Sequence, residues 1–333
     1  MTALPEALGL SPDQVEAVLV AAASAPSVHN TQPWRFRLSD DSVEVHADPE
    51  RRLPVVDPDD RELRLSCGAA LFNLRLAVES HGVRPLVSLV PDHARPSLVA
   101  VVRRGGPARP RRELDELVRA IPLRRTNRLP FLDQPVPEGH RRPLVEAAEA
   151  ERAWLHVVRD REQRAELRAM VVRATELLHA DPEYRAELAR WTGREPNRTD
   201  GVPSSAGGPR REPQDEWVLR DFTGGQARPR LTGKDFEDDP LLVVLCSHYE
   251  GRVAEVQTGQ AMEHVLLTAT ALGLAVSFLS QVIEVPSVRD ELRRMVGGGL
   301  EPQTVLRIGF GSPVPAVPRR PVAELLVRDS AAG

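Results

Sequence analysis

A chain of 333 residues with 41% apolar residues has the length of about two domains and the material for a substantial core. Its 44 basic residues, all arginine except Lys234, are outweighed by 48 acids for a net charge of −4, so a general polyanion or an anionic membrane is not indicated as a partner. The two cysteines, Cys67 and Cys246, lie in apolar surroundings and read as buried thiols, not a disulfide framework. With no basic region ahead of an apolar run, and no apolar stretch near the roughly 18 residues of a membrane span, the expectation is a soluble, cytoplasmic protein.

Ser11-Pro-Asp-Gln14 predicts a helix start, with Ser11 as N-cap, Pro12 at the first helical position and Gln14 closing a capping box. Val15, Val18, Leu19 and Ala22 recur on one face until Pro26 ends the helix. The polar loop Ala25-Pro-Ser-Val-His-Asn-Thr-Gln-Pro-Trp34 follows. Asn30 and Gln32 each offer an acceptor and an NH2 donor, Ser27 and Thr31 add hydroxyls, and His29 an imidazole. Such a loop can read the edge of a planar heterocycle; it can also be a polar turn with Trp34 as a core plug. Strands are expected at 34–38 and 43–46, a long buried helix over 62–79 ending at Gly82, and strands near 85–90 and 98–102. A Gly-Pro-Arg linker is expected at 105–112.

Arg124-Arg-Thr-Asn-Arg128 puts three arginines and a hydroxyl in five residues, a composition that suits a phosphate through charge-assisted bonds, or else a solvated basic turn. Beyond it a helix over 142–151, a strand to Val158 and a helix from about 162 through 178 toward Trp191 are expected. Residues 193–240, rich in Gly, Pro, Arg and Asp, read as a long irregular excursion: a lid or a disordered insert. Then come a strand over 241–246, a helix over 259–272, a strand over 275–279, Gln281-Val-Ile-Glu284, a helix over 287–296 and a strand over 304–308. The histidines and cysteines show no metal-binding spacing, and neither a Walker loop, a Gly-x-Ser-x-Gly elbow nor a dinucleotide fingerprint occurs, so no metal site is expected.

Asn30-Thr-Gln-Pro-Trp34 after a helix ending in Ala-Pro-Ser resembles the flavin-edge loop of the nitroreductase superfamily, and with His29 and Thr31 it most resembles the Acg branch. Arg124-Arg-Thr-Asn-Arg128 with Phe131 and Pro135-Val-Pro137 is similar to that family's N-terminal phosphate motif, with one extra residue before Phe131. Pro302–Gly311 looks like its closing strand and Arg319-Arg320 like its C-terminal basic pair. The Gly-x-Ala helices that begin at Gly68 and Gly259, each followed by a glycine (Gly82, Gly273) 14 residues on, look like one unit written twice.

The resemblance implies an α+β nitroreductase-like fold as a tandem pseudo-dimer, with halves at 1–112 and 113–333, antiparallel or mixed sheets and central buried helices. Only the first half keeps the flavin-edge loop and only the second the arginines, which implies one FMN per chain. The residues implied to bind it are Ser27, His29, Asn30, Thr31, Gln32, Trp34, Arg124, Arg125, Thr126, Arg128, Gln281, Arg319 and Arg320, with the flavin carrying the chemistry and no side chain catalytic. The implied activity is NAD(P)H-dependent reduction of a small nitro-aromatic, quinone or similar conjugated acceptor; the alternative is a flavin-sequestering protein with little turnover. The expected state is a monomer or weak homodimer without nucleic-acid or membrane partners.

Overall fold

The capping box read from the sequence forms: Ser11 Oγ accepts from Gln14 N at 3.4 Å, and Gln14 Oε1 accepts from Ser11 N at 3.0 Å. It opens α1 (Pro12–Ala23), whose Val15, Val18, Leu19 and Ala22 face the core. The computed structural model describes residues 4–194, 198–209, 217, 220–223 and 240–327. After α1 come β1 (Trp34–Ser39), β2 (Ser42–Ala47), α2 (Arg61–Ser80), β3 (Val83–Leu89) and β4 (Leu98–Pro107). These four strands form an antiparallel sheet in the order β1-β2-β4-β3.

The chain continues through α3 (Arg112–Ala120), α4 (Glu138–Ala150), β5 (Trp154–Val158), α5 (Arg161–Ala180) and α6 (Pro182–Trp191). A short parallel pair, β6 (Thr192–Arg194) and β7 (Val202–Pro203), leads into the excursion. Then follow β8 (Leu241–Ser247), α7 (Arg252–Ala271), β9 (Ala275–Phe278), α8 (Gln281–Glu284), α9 (Pro286–Met295), β10 (Glu301–Gly309) and α10 (Val322–Leu325). The second antiparallel sheet has the order β5-β8-β10-β9, which is the first sheet's order with each strand replaced by its counterpart in the repeat. All seven residues of β8 are buried, as an unbroken apolar run requires of a strand covered on both faces. The fold is α+β, a tandem pseudo-dimer of two such units.

The seam is the crossing of α2 and α7. A Cβ on Gly68 would lie 2.2 Å from Val256 O and one on Gly259 2.1 Å from Leu65 O, while each would meet the other glycine's Cα at 2.9 Å. Residue and partner exchange roles, the signature of a two-fold contact, here written within one chain. The C-terminal segment then returns to the first half, where Val327 N donates to Phe36 O at 2.8 Å.

Three expectations need correction. The supposed linker shrinks from 105–112 to 108–111: β4 runs to Pro107, and α3 starts at Arg112 and packs Leu114 near Phe72, Leu76 and Leu267. Its single apolar face is hidden in a composition dominated by charge. The helix expected to run toward Trp191 is broken at Asp181, whose side chain caps α6 by accepting from Glu183 N at 2.8 Å, with Pro182 at the first helical position. The repeat helix begins at Arg252, before the expected 259. Cys67 and Cys246 are free and buried. Among the described residues no helix is long and apolar enough to cross a membrane, and no group of three or more His, Cys, Asp and Glu could hold a metal.

Candidate active site

The loop after α1 is held in an unusual backbone. His29, Asn30 and Gln32 have φ of 50°, 56° and 51°, three non-glycine residues in the left-handed region within four positions. Each costs on the order of 1–3 kcal/mol unless its surroundings over-determine it. They do: Gln32 N donates to Ser27 Oγ at 2.8 Å, Asn30 Oδ1 accepts from Arg319 Nη1 at 2.6 Å, and Gln32 Oε1 accepts from Arg320 N at 2.8 Å. Asn30 Nδ2 donates to Gly201 O at 2.9 Å and Gln32 Nε2 to Thr199 O at 2.8 Å.

The amides expected to read a ligand edge are therefore engaged with the chain's own backbone and with the Arg319 guanidinium. Trp34 is fully buried in the main core. Thr31 is buried, with its carbonyl accepting from Arg51 Nη1 at 2.7 Å. Arg320 donates to Gln32 O at 3.2 Å and lies 3.6 Å from Asp48. Gln281 points at Thr175 Oγ1, 3.4 Å away. Trp34, Thr31, Gln32, Arg320 and Gln281 thus stand behind the cavity walls and brace them.

Pro26, Ser27, Val28 and His29 do reach a cavity of about 610 Å³, together with Leu65 of α2, Met262 of α7, Thr126, Arg128 and, from the excursion, Arg220 and Phe222. Pro26, Ser27, Thr126 and Arg128 also line a second cavity of about 870 Å³, walled by Asn30, Arg124, Arg125 and Arg319. The two adjoin at these four shared residues, the first the more apolar and the second rich in arginine. The 124–128 segment sits where they adjoin because it adds to the edge of β9, with Asn127 N donating to Val276 O at 2.8 Å.

At the arginine-rich end, Arg124 is buried; its Nη2 donates to Ser24 O at 3.2 Å, its Nε lies 3.6 Å from Glu263 Oε1, and its Nη1 has no partner among the described residues. Burial, with Arg124 adding to it, lowers the Arg319 pKa to about 9. Burial and then Arg220 lower Arg128 to about 10, while its guanidinium sits 4.4 Å over the Phe222 ring. Two desolvated cations, Arg124 and Arg319, thus face one carboxylate, Glu263.

At the apolar end, Arg220 grips Glu284 with both Nη atoms, the Nη1–Oε1 bond being 2.9 Å, and Ser280 Oγ donates to Glu284 at 2.8 Å. Burial alone would raise Glu284, but Arg220 outweighs it and holds the carboxyl below its ordinary range. Glu62 has no such partner: burial, then the nearby Glu284, push it well above the ordinary range, and its Oε2 is unpaired among the described residues. Burial, then Arg220, depress His29 to about 3, and its Nε2 is also unpaired among the described residues. A carboxyl biased by burial toward its protonated form and a neutral imidazole therefore line the hollow.

The model of the family described as the nitroreductase family matches residues 121–311, more than half of the sequence. The chain belongs to the nitroreductase family. Two relatives from Mycobacterium tuberculosis strain H37Rv, Rv3131 and acg, carry the provisional name NAD(P)H nitroreductase. They are 34% identical over 319 residues and 32% over 322, covering 94% of this chain in both cases and 91% and 95% of their own lengths. A solved nitroreductase with bound FMN from Desulfitobacterium hafniense is 15% identical with a TM-score of 0.40, covering 65% of this chain and 98% of its own. The nitroreductase match lies in the second half and the 124–128 segment, while the strained 27–32 loop belongs to the first half.

Sequence reasoning missed Glu62, Arg220, Phe222, Glu263 and Glu284. Two of them carried a readable signal: Glu62 and Glu263 are acids in helices otherwise buried, where a carboxylate needs a reason.

Proposed function

We propose that this nitroreductase-family chain binds one FMN in the cleft between halves 1–112 and 113–333, and acts as an oxidoreductase that uses NAD(P)H to reduce a small nitro-aromatic, quinone or similar conjugated acceptor. The observation that carries this reading is a mainly apolar hollow that adjoins, across Pro26, Ser27, Thr126 and Arg128, a cavity walled by Arg124, Arg125 and Arg319. The residues fit such a group: Arg124 Nη1, His29 Nε2 and Glu62 Oε2 are buried polar atoms left without partners among the described residues. FMN, when bound, supplies hydride chemistry. Arg124, Arg125, Arg128 and Arg319 would hold its phosphate, Ser27 and Thr126 would meet its polyol chain where the cavities adjoin, and His29 and Glu62 would offer hydrogen-bonding groups in the hollow. Gln32, Thr31, Trp34, Arg320 and Gln281 would act by fixing the walls.

A second reading, flavin sequestration, is favoured by one observation: Arg220 and Phe222, in the 193–240 excursion, lie on the cavity, with Arg220 clamped to Glu284. We propose that the described residues 220–223 of this excursion cover the cavity; residues 195–197, 210–216, 218–219 and 224–239 of the expected lid lie outside the described residues. Absorption spectra of the purified protein during FMN titration and then under anaerobic NADPH separate the possibilities. Saturation near one FMN per chain with rapid bleaching supports the reductase. Saturation with slow bleaching supports storage, and two FMN per chain would overturn the single-site reading.

A further inference from the structure

Glu263 sits in the middle of α7, wholly inaccessible to solvent, in a helix whose neighbours along the buried face are Met262, Leu266 and Leu267. Neither carboxylate oxygen has a hydrogen-bond partner at ordinary distance among the described residues; Asn73 supplies only a longer side-chain contact. The groups that act on it are Arg124 from the segment after α3, Asn73 from α2 and Arg319 from the C-terminal segment. The α4 end brings a carboxylate nearby, Glu151, but that one bonds Arg75 at 2.8 Å and lies 4.0 Å from Nδ1 of His264, the next residue of α7. The last turn of α1 contributes no charge, only the Ser24 and Ala25 carbonyls that accept from Arg124 and Arg319. Arg124 and Arg319 both line the arginine-rich cavity. A buried carboxylate behind two cavity-facing guanidiniums has one plain role, to balance them while no external anion is present.

We propose that Glu263 is the exchangeable counter-ion of this anion site: a phosphate entering the cavity takes over Arg124 and Arg319, and Glu263 accepts a proton and becomes a neutral acid. This rests on the FMN reading and adds to it a residue that sets the preference for a phosphorylated over an unphosphorylated flavin. Two negative charges cannot share the two guanidiniums in a desolvated space without mutual repulsion, and protonating the carboxylate relieves it. The group is poised for this, since burial, opposed by Arg124, already brings it to about 7. The guanidiniums stay charged throughout. FMN itself is dianionic at pH 8, because its phosphate loses its second proton near pH 6, so uptake at pH 8 reports on the protein.

Calorimetric titration of the full-length apoprotein with FMN at pH 8, in two buffers of different ionisation enthalpy, counts the protons. The wild type is expected to take up between about half and one proton per FMN, and its affinity to fall correspondingly by about three- to tenfold per pH unit between pH 7.5 and 8.5. Riboflavin should bind with no uptake. Glu263→Gln, close to isosteric, should take up none, show no pH dependence over that range and bind FMN at least about tenfold tighter than wild type at pH 8.5. Should that variant fail to fold, the wild-type contrast between FMN and riboflavin decides alone. One FMN bound per chain without uptake, or with uptake equal in Glu263→Gln or with riboflavin, overturns the proposal and leaves the cofactor reading standing. Failure of the wild type to bind FMN overturns the cofactor reading and this proposal with it.

Discussion

Counting four residues on from each crossing glycine reaches Glu263 on one side of the α2–α7 seam and Phe72 on the other. On the Glu263 side, the C-cap residue of α1, Ser24, accepts from Arg124 and Arg319, and the space beyond is hollow. On the Phe72 side, the C-cap residue of α4, Glu151, takes Arg75 at 2.8 Å; Arg75 also reaches Gln260 at 2.6 Å and lies 5.5 Å over the Phe72 ring, on which His264 stacks at 4.9 Å. A symmetric scaffold makes two equivalent crevices. An aromatic ring with matched charges plugs one, whereas a carboxylate with surplus cations keeps the other open.

The comparison breaks first at the seam. Gly68→Ala and Gly259→Ala should each destabilise the protein by about 3 kcal/mol or more in chemical denaturation, and by similar amounts, since the atoms they would strike are backbone. Gly139→Ala, with nothing within 4 Å of the new methyl, serves as the neutral control. Clearly unequal losses would mean that the seam is not two-fold in energy.

The two sides should also answer pH with opposite sign. Burial raises Glu263 from 4.5 to about 7, so the folded state holds an extra proton between those values. Its contribution is present in full below pH 4.5 and is lost as pH rises to 7, about 3 kcal/mol in total. His264 is depressed by burial from 6.5, so its side loses stability as pH falls below 6.5. In denaturation midpoints followed against pH, Glu263→Gln should flatten the loss on the rising side and His264→Gln the loss on the falling side. Parallel slopes in both variants would remove the electrostatic distinction.

Ligand binding sharpens it further. Arg124→Ala should weaken FMN by about 1.5–3 kcal/mol while sparing riboflavin, and Arg75→Ala should cost stability but leave FMN affinity unchanged. Fluorescence titration of both flavins tests this, and equal losses in the two variants would assign Arg124 to the fold alone. The smallest effect concerns access: because Phe222 lines the more apolar cavity, Phe222→Ala should speed anaerobic reduction by NADPH a few-fold in stopped flow without releasing FMN. An unchanged rate would end its gating role.

Much of the scaffold was legible because local rules agreed with the global fold. The Ser11 capping box, the apolar run of β8 and the doubled Gly-x-Ala helix each have one physical solution in this sequence. Of the candidate site, Ser27, His29, Arg124, Arg125, Thr126, Arg128, Arg319 and Asn30 do line the cleft, as a motif can foretell. What the motif could not convey is direction. The Asn30 and Gln32 amides are turned into the protein by bonds to residues about 170 and 290 positions away. Arg220 and Glu284, 64 positions apart, become a pair only in three dimensions. α3 was lost because one apolar face among charges resembles a linker.

The 27–32 loop takes two of the bonds that fix it from Arg319 and Arg320, about 290 residues further along the chain. During synthesis, every residue up to 318 can leave the ribosome before those two appear. The first half then has to wait without those bonds on its loop, and with β1 lacking the bond from Val327 to Phe36. Contacts of such long sequence separation form late and slowly. The cleft is thus closed by a segment translated almost 300 residues after the loop it holds, so a chain truncated before Arg319 would lack the bonds from Arg319 and Arg320 that fix Asn30 and Gln32.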